Sequence, residues 1–217
     1  QYKVYLVDLR NHGDSFHDEI FTYTAMAQDL VDFMSRKNID ETILLGHSMG
    51  GKVAMTVALN HPKKIKKIII ADISPAAYPT RHDVIVEALA ALKLEEVASR
   101  QDADQQLKEF IPEVGVRQFL LKNLERKKEG GYAWKINLAV IEKYIVNVGE
   151  PMDQNLKFNK PTLFIKGGRS KYILDKDLPL INTLFPNNQL EIIPEAGHWL
   201  HAEKTEDFFS ICQKFLE

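Results

Sequence analysis

Apolar residues recur along the chain in two rhythms. Lys3-Val4-Tyr5-Leu6-Val7-Asp8, Thr42-Ile43-Leu44-Leu45, Lys67-Ile68-Ile69-Ile70-Ala71, Thr162-Leu163-Phe164-Ile165-Lys166 and the stretch 189–193 are short runs suited to strands of a parallel sheet, most of them buried on both faces. Tyr23, Met26, Ala27, Leu30, Phe33 and Met34 instead recur at helical spacing, and that helix is predicted to end near Asn38. A second helical run, Lys52–Leu59, is stopped by His61-Pro62. Further helices are predicted near 175–184 and over about 203–216, the last burying Phe208, Ile211, Cys212 and Phe215. Strand alternating with helix predicts an α/β fold.

The alternation breaks between Ala76 and Phe158. Helical patterns fall at 81–92, 94–100, 102–110, 113–127 and 137–147, with Gly130-Gly131 and Gly149-Glu150-Pro151 as punctuation. No run there resembles a central strand. The division expected is a core of 1–75 and 156–217 with a helical cap of 76–155 inserted at the sheet's C-terminal edge.

Chemistry concentrates where the second apolar run meets its helix, at Gly46-His47-Ser48-Met49-Gly50-Gly51. Gly-x-Ser-x-Gly between strand and helix makes a sharp turn that lifts the serine hydroxyl above the sheet. Gly46 and Gly50 are expected to leave room for close packing. The Met49 N–H, at the helix start, is placed to face a developing oxyanion.

A serine needs a base, and the base an acid partner. Of the histidines, His47 adjoins the serine and should point elsewhere, and His61 precedes a proline. His12 lies in the polar loop after the first run, and His17, His82 and His201 carry no local signature. His198, in the loop after the last strand and flanked by Trp199-Leu200, best fits the order serine, acid, histidine. Asp72, between a strand and Pro75, is the leading acid. Asp175 and Asp177 remain alternatives, although a helix start accounts for them as capping or first-turn acids. His198 and His201 lack a third ligand at metal-binding spacing, so no metal or cofactor is expected.

Composition narrows the partners. The 217 residues carry a net charge of −2, which offers no electrostatic case for nucleic acid or an anionic membrane. Lys63-Lys64-Ile65-Lys66-Lys67 reads as a solvated loop. No apolar stretch approaches the ~20 residues that span a bilayer. Cys212, the one cysteine, permits no internal disulfide and reads as core. A cytoplasmic location is expected, or an organellar one after removal of an N-terminal segment.

Together these stretches resemble the α/β-hydrolase superfamily. The similarity is narrowest to the small esterase/thioesterase group of bacterial YbfF-type esterases and eukaryotic abhydrolase-domain 11 proteins. It rests on Asp8-Leu9-Arg10-Asn11-His12-Gly13-Asp14-Ser15, Gly46–Lys52, Asp72-Ile73-Ser74-Pro75, Arg117–Leu124 and Ala196–Glu203. The resemblance implies Ser48 as nucleophile, His198 as base and Met49 as an oxyanion donor. Most of the superfamily keeps its acid in a loop that here reads Gly167-Gly168-Arg169-Ser170, without a carboxylate at Ser170. In the YbfF-like group the acid follows the earlier strand, where Asp72 stands. The superfamily's first strands and a second oxyanion donor precede residue 3, and its third strand is missing between 3–8 and 42–45. The chain is therefore expected to be part of a longer protein.

The leading expectation is a serine hydrolase acting on small-molecule carboxylic esters or acyl thioesters. His12, His47, Trp199 and Phe119 are candidate substrate contacts. Val86, Leu89, Leu107, Phe110, Leu120, Leu124 and Trp134 either line an acyl pocket or pack the cap's own core; packing is the expectation for any single one. The alternatives are a non-catalytic binding module on the same fold, or another hydrolase chemistry such as perhydrolysis or C–C cleavage.

Overall fold

The computed structural model describes residues 2–78 and 83–217. Contacts group the chain into two units, Tyr23–Tyr78 with Gly149–Glu217, and Gln1–Thr22 with Pro79–Val148. In chain order the principal elements are α1 (Tyr23–Arg36), β1 (Thr42–His47), α2 (Met49–Asn60), β2 (Ile65–Ala71), α3 (Asp83–Ala91), α4 (Arg100–Leu107), α5 (Val114–Leu120), β3 (Leu124–Arg126), β4 (Tyr132–Trp134), α6 (Leu138–Tyr144), β5 (Thr162–Gly167), α7 (Leu178–Leu184), β6 (Asn188–Ile193), α8 (Leu200–Glu203) and α9 (Thr205–Leu216).

The first unit is built on a parallel sheet of order β1-β2-β5-β6. Side chains alternate across its faces with period two. Ile69, Ala71, Leu163, Ile165 and Ile193 form one buried cluster with Cys212 of α9, packed against Phe208, Ile211 and Phe215. On the other face, Ile70 lies beside Gly51 of α2, and Phe164 meets Phe185, after α7, at 5.6 Å. Helices therefore clad both faces, and this is why β2 and β5 read as nearly unbroken apolar runs. Cys212 is buried, and burial pushes its thiol up to about 11, as suits a core residue. Helix α1 ends as expected: Asn38 takes a positive φ of 53°, and the Ile39 N–H reaches back to the Met34 carbonyl at 2.8 Å.

In the second unit the residues up to Thr22, expected with the core, pack with the helical block. The Asn137 N–H donates to the Asn11 carbonyl at 2.9 Å, and Asn147 Nδ2 donates to the Phe21 carbonyl at 3.0 Å. The strand expected at 3–8 does not form. Val4 and Leu6 are 74% and 97% exposed, because no strand among the described residues lies along this run to complete a ladder. The helix expected over 113–127 stops at Leu120, and the short antiparallel pair β3–β4 follows. Gly130 and Gly131 turn it at φ of 95° and 78°. The charged stretch Glu125–Glu129 has no apolar stripe to bury as a helix. Arg117 is buried here and donates to both carboxylate oxygens of Asp104 and to the Ile111 and Pro112 carbonyls. Of the apolar candidates in the helical block, Val86, Leu89, Leu107, Leu120 and Leu124 are buried, whereas Phe110 and Phe119 are 44% and 40% exposed. No helix among the described residues is long and apolar enough to cross a membrane.

Candidate active site

The C-terminal ends of the parallel strands each deliver one piece of a connected site. Ser48 follows β1 and precedes α2, with φ 53° and ψ −121°. That backbone conformation costs on the order of 1–3 kcal/mol for a residue with a Cβ. The Ser48 N–H donates to the Ala71 carbonyl at 3.0 Å, while its own carbonyl accepts from Gly51 and Lys52. Gly46 is required: a Cβ there would stand 2.2 Å from the Gly50 carbonyl oxygen. Gly50 does not play the part expected of it, since a Cβ on it would meet nothing within 4 Å. Gly51 is the second tight position, with Ile73 Cγ2 at 2.6 Å from such a Cβ. Helix α2 turns away from the strand at Gly51, so the contact falls one residue later than the motif implies.

Asp72 follows β2, also at positive φ (50°), and is wholly buried. A buried carboxylate needs donors, and three are present. Gly167 N–H, at the end of β5, donates to Oδ1 at 3.0 Å. Ser170 Oγ–H donates to Oδ2, and His198 Nδ1–H donates to the same oxygen at 2.8 Å. Because the carboxylate only accepts, the imidazole carries its proton on Nδ1 and leaves Nε2 as acceptor. Nε2 lies 3.0 Å from Ser48 Oγ. Ser48, His198 and Asp72 thus form one hydrogen-bonded chain.

The loop carrying His198 is braced from several sides. Glu203 accepts from Gly197 N–H at 2.8 Å and from Trp199 N–H at 3.2 Å, on either side of the histidine. Tyr172 stacks on the His198 ring at 4.0 Å. His47, one residue before the serine, turns toward this loop and donates Nε2–H to the His198 carbonyl at 2.7 Å. Its ring also lies 4.5 Å from that of His201 and 5.2 Å from that of Trp199. Burial, with His198 and His201 nearby, pushes His47 down to about 3, so it is neutral at physiological pH.

The other acids hold structural positions. Asp177 is buried and accepts from Leu174 N–H at 2.9 Å, as a capping residue does, and Asp175 is exposed. His12 and Phe119 belong to the other unit. His12 donates Nδ1–H to the Arg10 carbonyl at 3.0 Å, and its ring stacks near Phe21 at 6.1 Å. Its ionisation is pushed down, chiefly by burial. His82 lies outside the described residues. Sequence reasoning missed Ser170, Tyr172 and Glu203 as supports. Ser170 had a signal, a hydroxyl where the superfamily's acid ordinarily stands. Tyr172 had none, since stacking leaves no periodic trace.

A serine raised on a strand-to-helix turn above a parallel sheet with helices on both faces defines a class. The chain belongs to the α/β-hydrolase-fold family, whose sequence pattern matches residues 1–100. Within that family it falls among the relatives of ABHD11 and YbfF. It is 38% identical to the sn-1-specific diacylglycerol lipase ABHD11 of Danio rerio, over 99% of this chain and 69% of that protein. It is 36% identical to the esterase YbfF of Escherichia coli, over 97% of this chain and 81% of that protein. The solved structure of a marine microorganism esterase superposes with a TM-score of 0.92 at 43% identity, covering 96% of this chain and 82% of that one.

Proposed function

We propose that the chain hydrolyses carboxylic esters or acyl thioesters through an acyl-enzyme on Ser48. One observation carries the reading: the hydroxyl at 48, the imidazole at 198 and the buried carboxylate at 72 are joined by consecutive hydrogen bonds of 3.0 and 2.8 Å. The names of the relatives, esterase and lipase, support the ester class.

In the proposed reaction Ser48 Oγ attacks the carbonyl carbon while His198 Nε2 takes the hydroxyl proton. The imidazolium that forms is stabilised by Asp72, and general-base help of this kind contributes about 10²–10⁴-fold. The carbonyl oxygen becomes an oxyanion facing the Met49 N–H. That N–H is one of the first amides of α2 and has no intrahelical partner; one such donor contributes about 10²–10³-fold. His198 returns its proton to the leaving alcohol or thiol. Water, activated by the same imidazole, then attacks the acyl-enzyme, releasing the acid and restoring Ser48. Trp199 and His47, whose rings lie beside that of His198, are the proposed substrate contacts.

A fluorophosphonate probe tests the reading directly. Labelling that maps to Ser48 and disappears in Ser48→Ala supports it, and a panel of esters and acyl-CoA thioesters then ranks the leaving groups. A folded chain that neither labels nor turns over any member of the panel would favour the non-catalytic binding module.

A further inference from the structure

Lys52 is a buried cation that the reaction above leaves unused. It lies one helical turn after Ser48 on α2, and its side chain is 0% exposed. Its ammonium donates to the backbone carbonyls of Ala76 and Glu150, each at 2.8 Å, and to that of Pro75 at 3.4 Å. The ring of Tyr78 lies 5.3 Å from the same nitrogen. An ammonium has three hydrogens for three oxygens, whereas a neutral amine has two and a lone pair that would face the third.

The carbonyls come from two stretches far apart in sequence. One runs from β2 through Asp72, Ile73, Ser74 and Pro75, all buried; the other begins at Gly149. Tyr78 N–H donates to the Gly149 carbonyl at 3.2 Å and Met152 N–H to the Pro75 carbonyl at 2.9 Å. Met152 in turn sits against Thr56 of α2, with Oγ1 3.6 Å from its sulfur. Lys52 therefore stands where the helix of the nucleophile, the turn of the acid and the returning chain meet.

We propose that Lys52 is a positioning residue: its hydrogen bonds pin Pro75 and Ala76, and through them the turn carrying Asp72, to the helix that begins beside Ser48. The charged and titratable groups facing it are Glu150, Asp177 and Tyr78. Burial pushes the ammonium down to about 7, against the attraction of Asp177 and Glu150. Burial also pushes the Tyr78 phenol up to about 12, so Tyr78 stays neutral while Lys52 titrates. The neutral amine keeps two N–H donors for the two carbonyls at 2.8 Å.

The kinetic part of this proposal rests on the ester-hydrolase reading; the structural part does not, and the test separates them. In the unaltered chain, hydrogen exchange at the Tyr78 and Met152 amides is followed from pH 6 to 9 and corrected for intrinsic rates. Opening these bonds wets Lys52 and lets it take the proton that burial denies it, so protection is expected to rise at least about tenfold between about pH 7 and 9; constant or falling protection at both amides overturns the proposal. In Lys52→Met, shown to be folded by circular dichroism, kcat on an ester is expected to fall at least about tenfold with KM within about twofold. Unchanged kcat in Lys52→Met overturns the positioning role. If Lys52→Met does not fold, the exchange measurement on the parent decides. If the parent neither labels with fluorophosphonate nor turns over esters, the ester reading fails and the exchange result alone decides whether Lys52 pins the turn.

Discussion

Replacing Asp72 with asparagine changes one atom and leaves no good arrangement of hydrogen bonds. In the parent, Oδ1 accepts from Gly167 N–H, and Oδ2 accepts from His198 Nδ1–H and Ser170 Oγ–H. If the new amide keeps its oxygen toward His198, its NH2 group opposes the Gly167 N–H across 3.0 Å. That backbone donor cannot rotate, and leaving it unsatisfied costs about 1–3 kcal/mol. In the reverse orientation the oxygen satisfies Gly167 and the NH2 group faces His198. The imidazole adapts by moving its proton to Nε2, and Ser170 adapts by rotating its hydroxyl. The second arrangement is cheaper, and it is inactive, because Nε2–H then points at Ser48 Oγ and accepts nothing. The expected result is a folded protein whose kcat on an activated ester falls about 10⁴-fold, or about 5 kcal/mol of barrier. The thermal midpoint should shift only a few degrees. The assay is kcat/KM by stopped-flow or plate reader, run beside Asp175→Asn, which should match the parent because Asp175 is exposed. Asp72→Asn retaining more than a tenth of parental activity would refute the reasoning, as would loss of turnover in Asp175→Asn.

Other perturbations follow from the same geometry. Ser48→Gly relieves a residue held at φ 53° and should raise the melting temperature by about 2–4 °C per kcal/mol recovered while abolishing activity, checked by calorimetry. Gly46→Ala places a Cβ 2.2 Å from the Gly50 carbonyl, whereas Gly50→Ala meets nothing; urea unfolding should show a loss of at least about 1–3 kcal/mol for the first and nearly none for the second. His47 is pushed down to about 3 in the folded chain, so between its unfolded value near 6.5 and about 3 only the unfolded chain takes the proton. Stability should therefore rise with pH from about 3 to about 6.5, and His47→Gln, which keeps a donor for the His198 carbonyl, should flatten the rise. Lys52 works in the same direction at higher pH, since its folded value near 7 also lies below the usual 10.5. Stability should rise from about pH 7 to 10.5, and Lys52→Met should remove that slope.

The parts of the site that one segment sets by itself were legible before any coordinates. Strand, Gly-x-Ser-x-Gly and helix are contiguous, so the raised serine and the Met49 amide follow from local sterics. The near-unbroken apolar runs of β2 and β5 stated that both faces would be covered, and Cys212 stood on an apolar stripe. The failures came where a segment depends on distant partners. Val4 and Leu6 have the composition of a strand, but a strand is defined by its ladder, and theirs is lacking among the described residues. The helix expected to 127 gave way to a hairpin because charged residues with two glycines beyond them satisfy a turn better than a helix with no face to bury. The tight packing assigned to Gly50 belongs to Gly51, since the helix axis, and not the motif, decides which Cα meets Ile73.

From its residues alone, then, the chain determined the order of strands and helices, the parallel sheet, and the kinds of groups that gather at its C-terminal edge. Tertiary structure decided which carboxylate faces which imidazole nitrogen. Asp72 and His198 are 126 residues apart, and no local rule reports a distance between segments that sheet order brings together. It also decided that Ser170, Tyr172, Glu203 and Lys52 brace the site. Hydrogen bonds and ring stacking act over a few ångströms in space and leave no periodicity along the chain by which a sequence would disclose them.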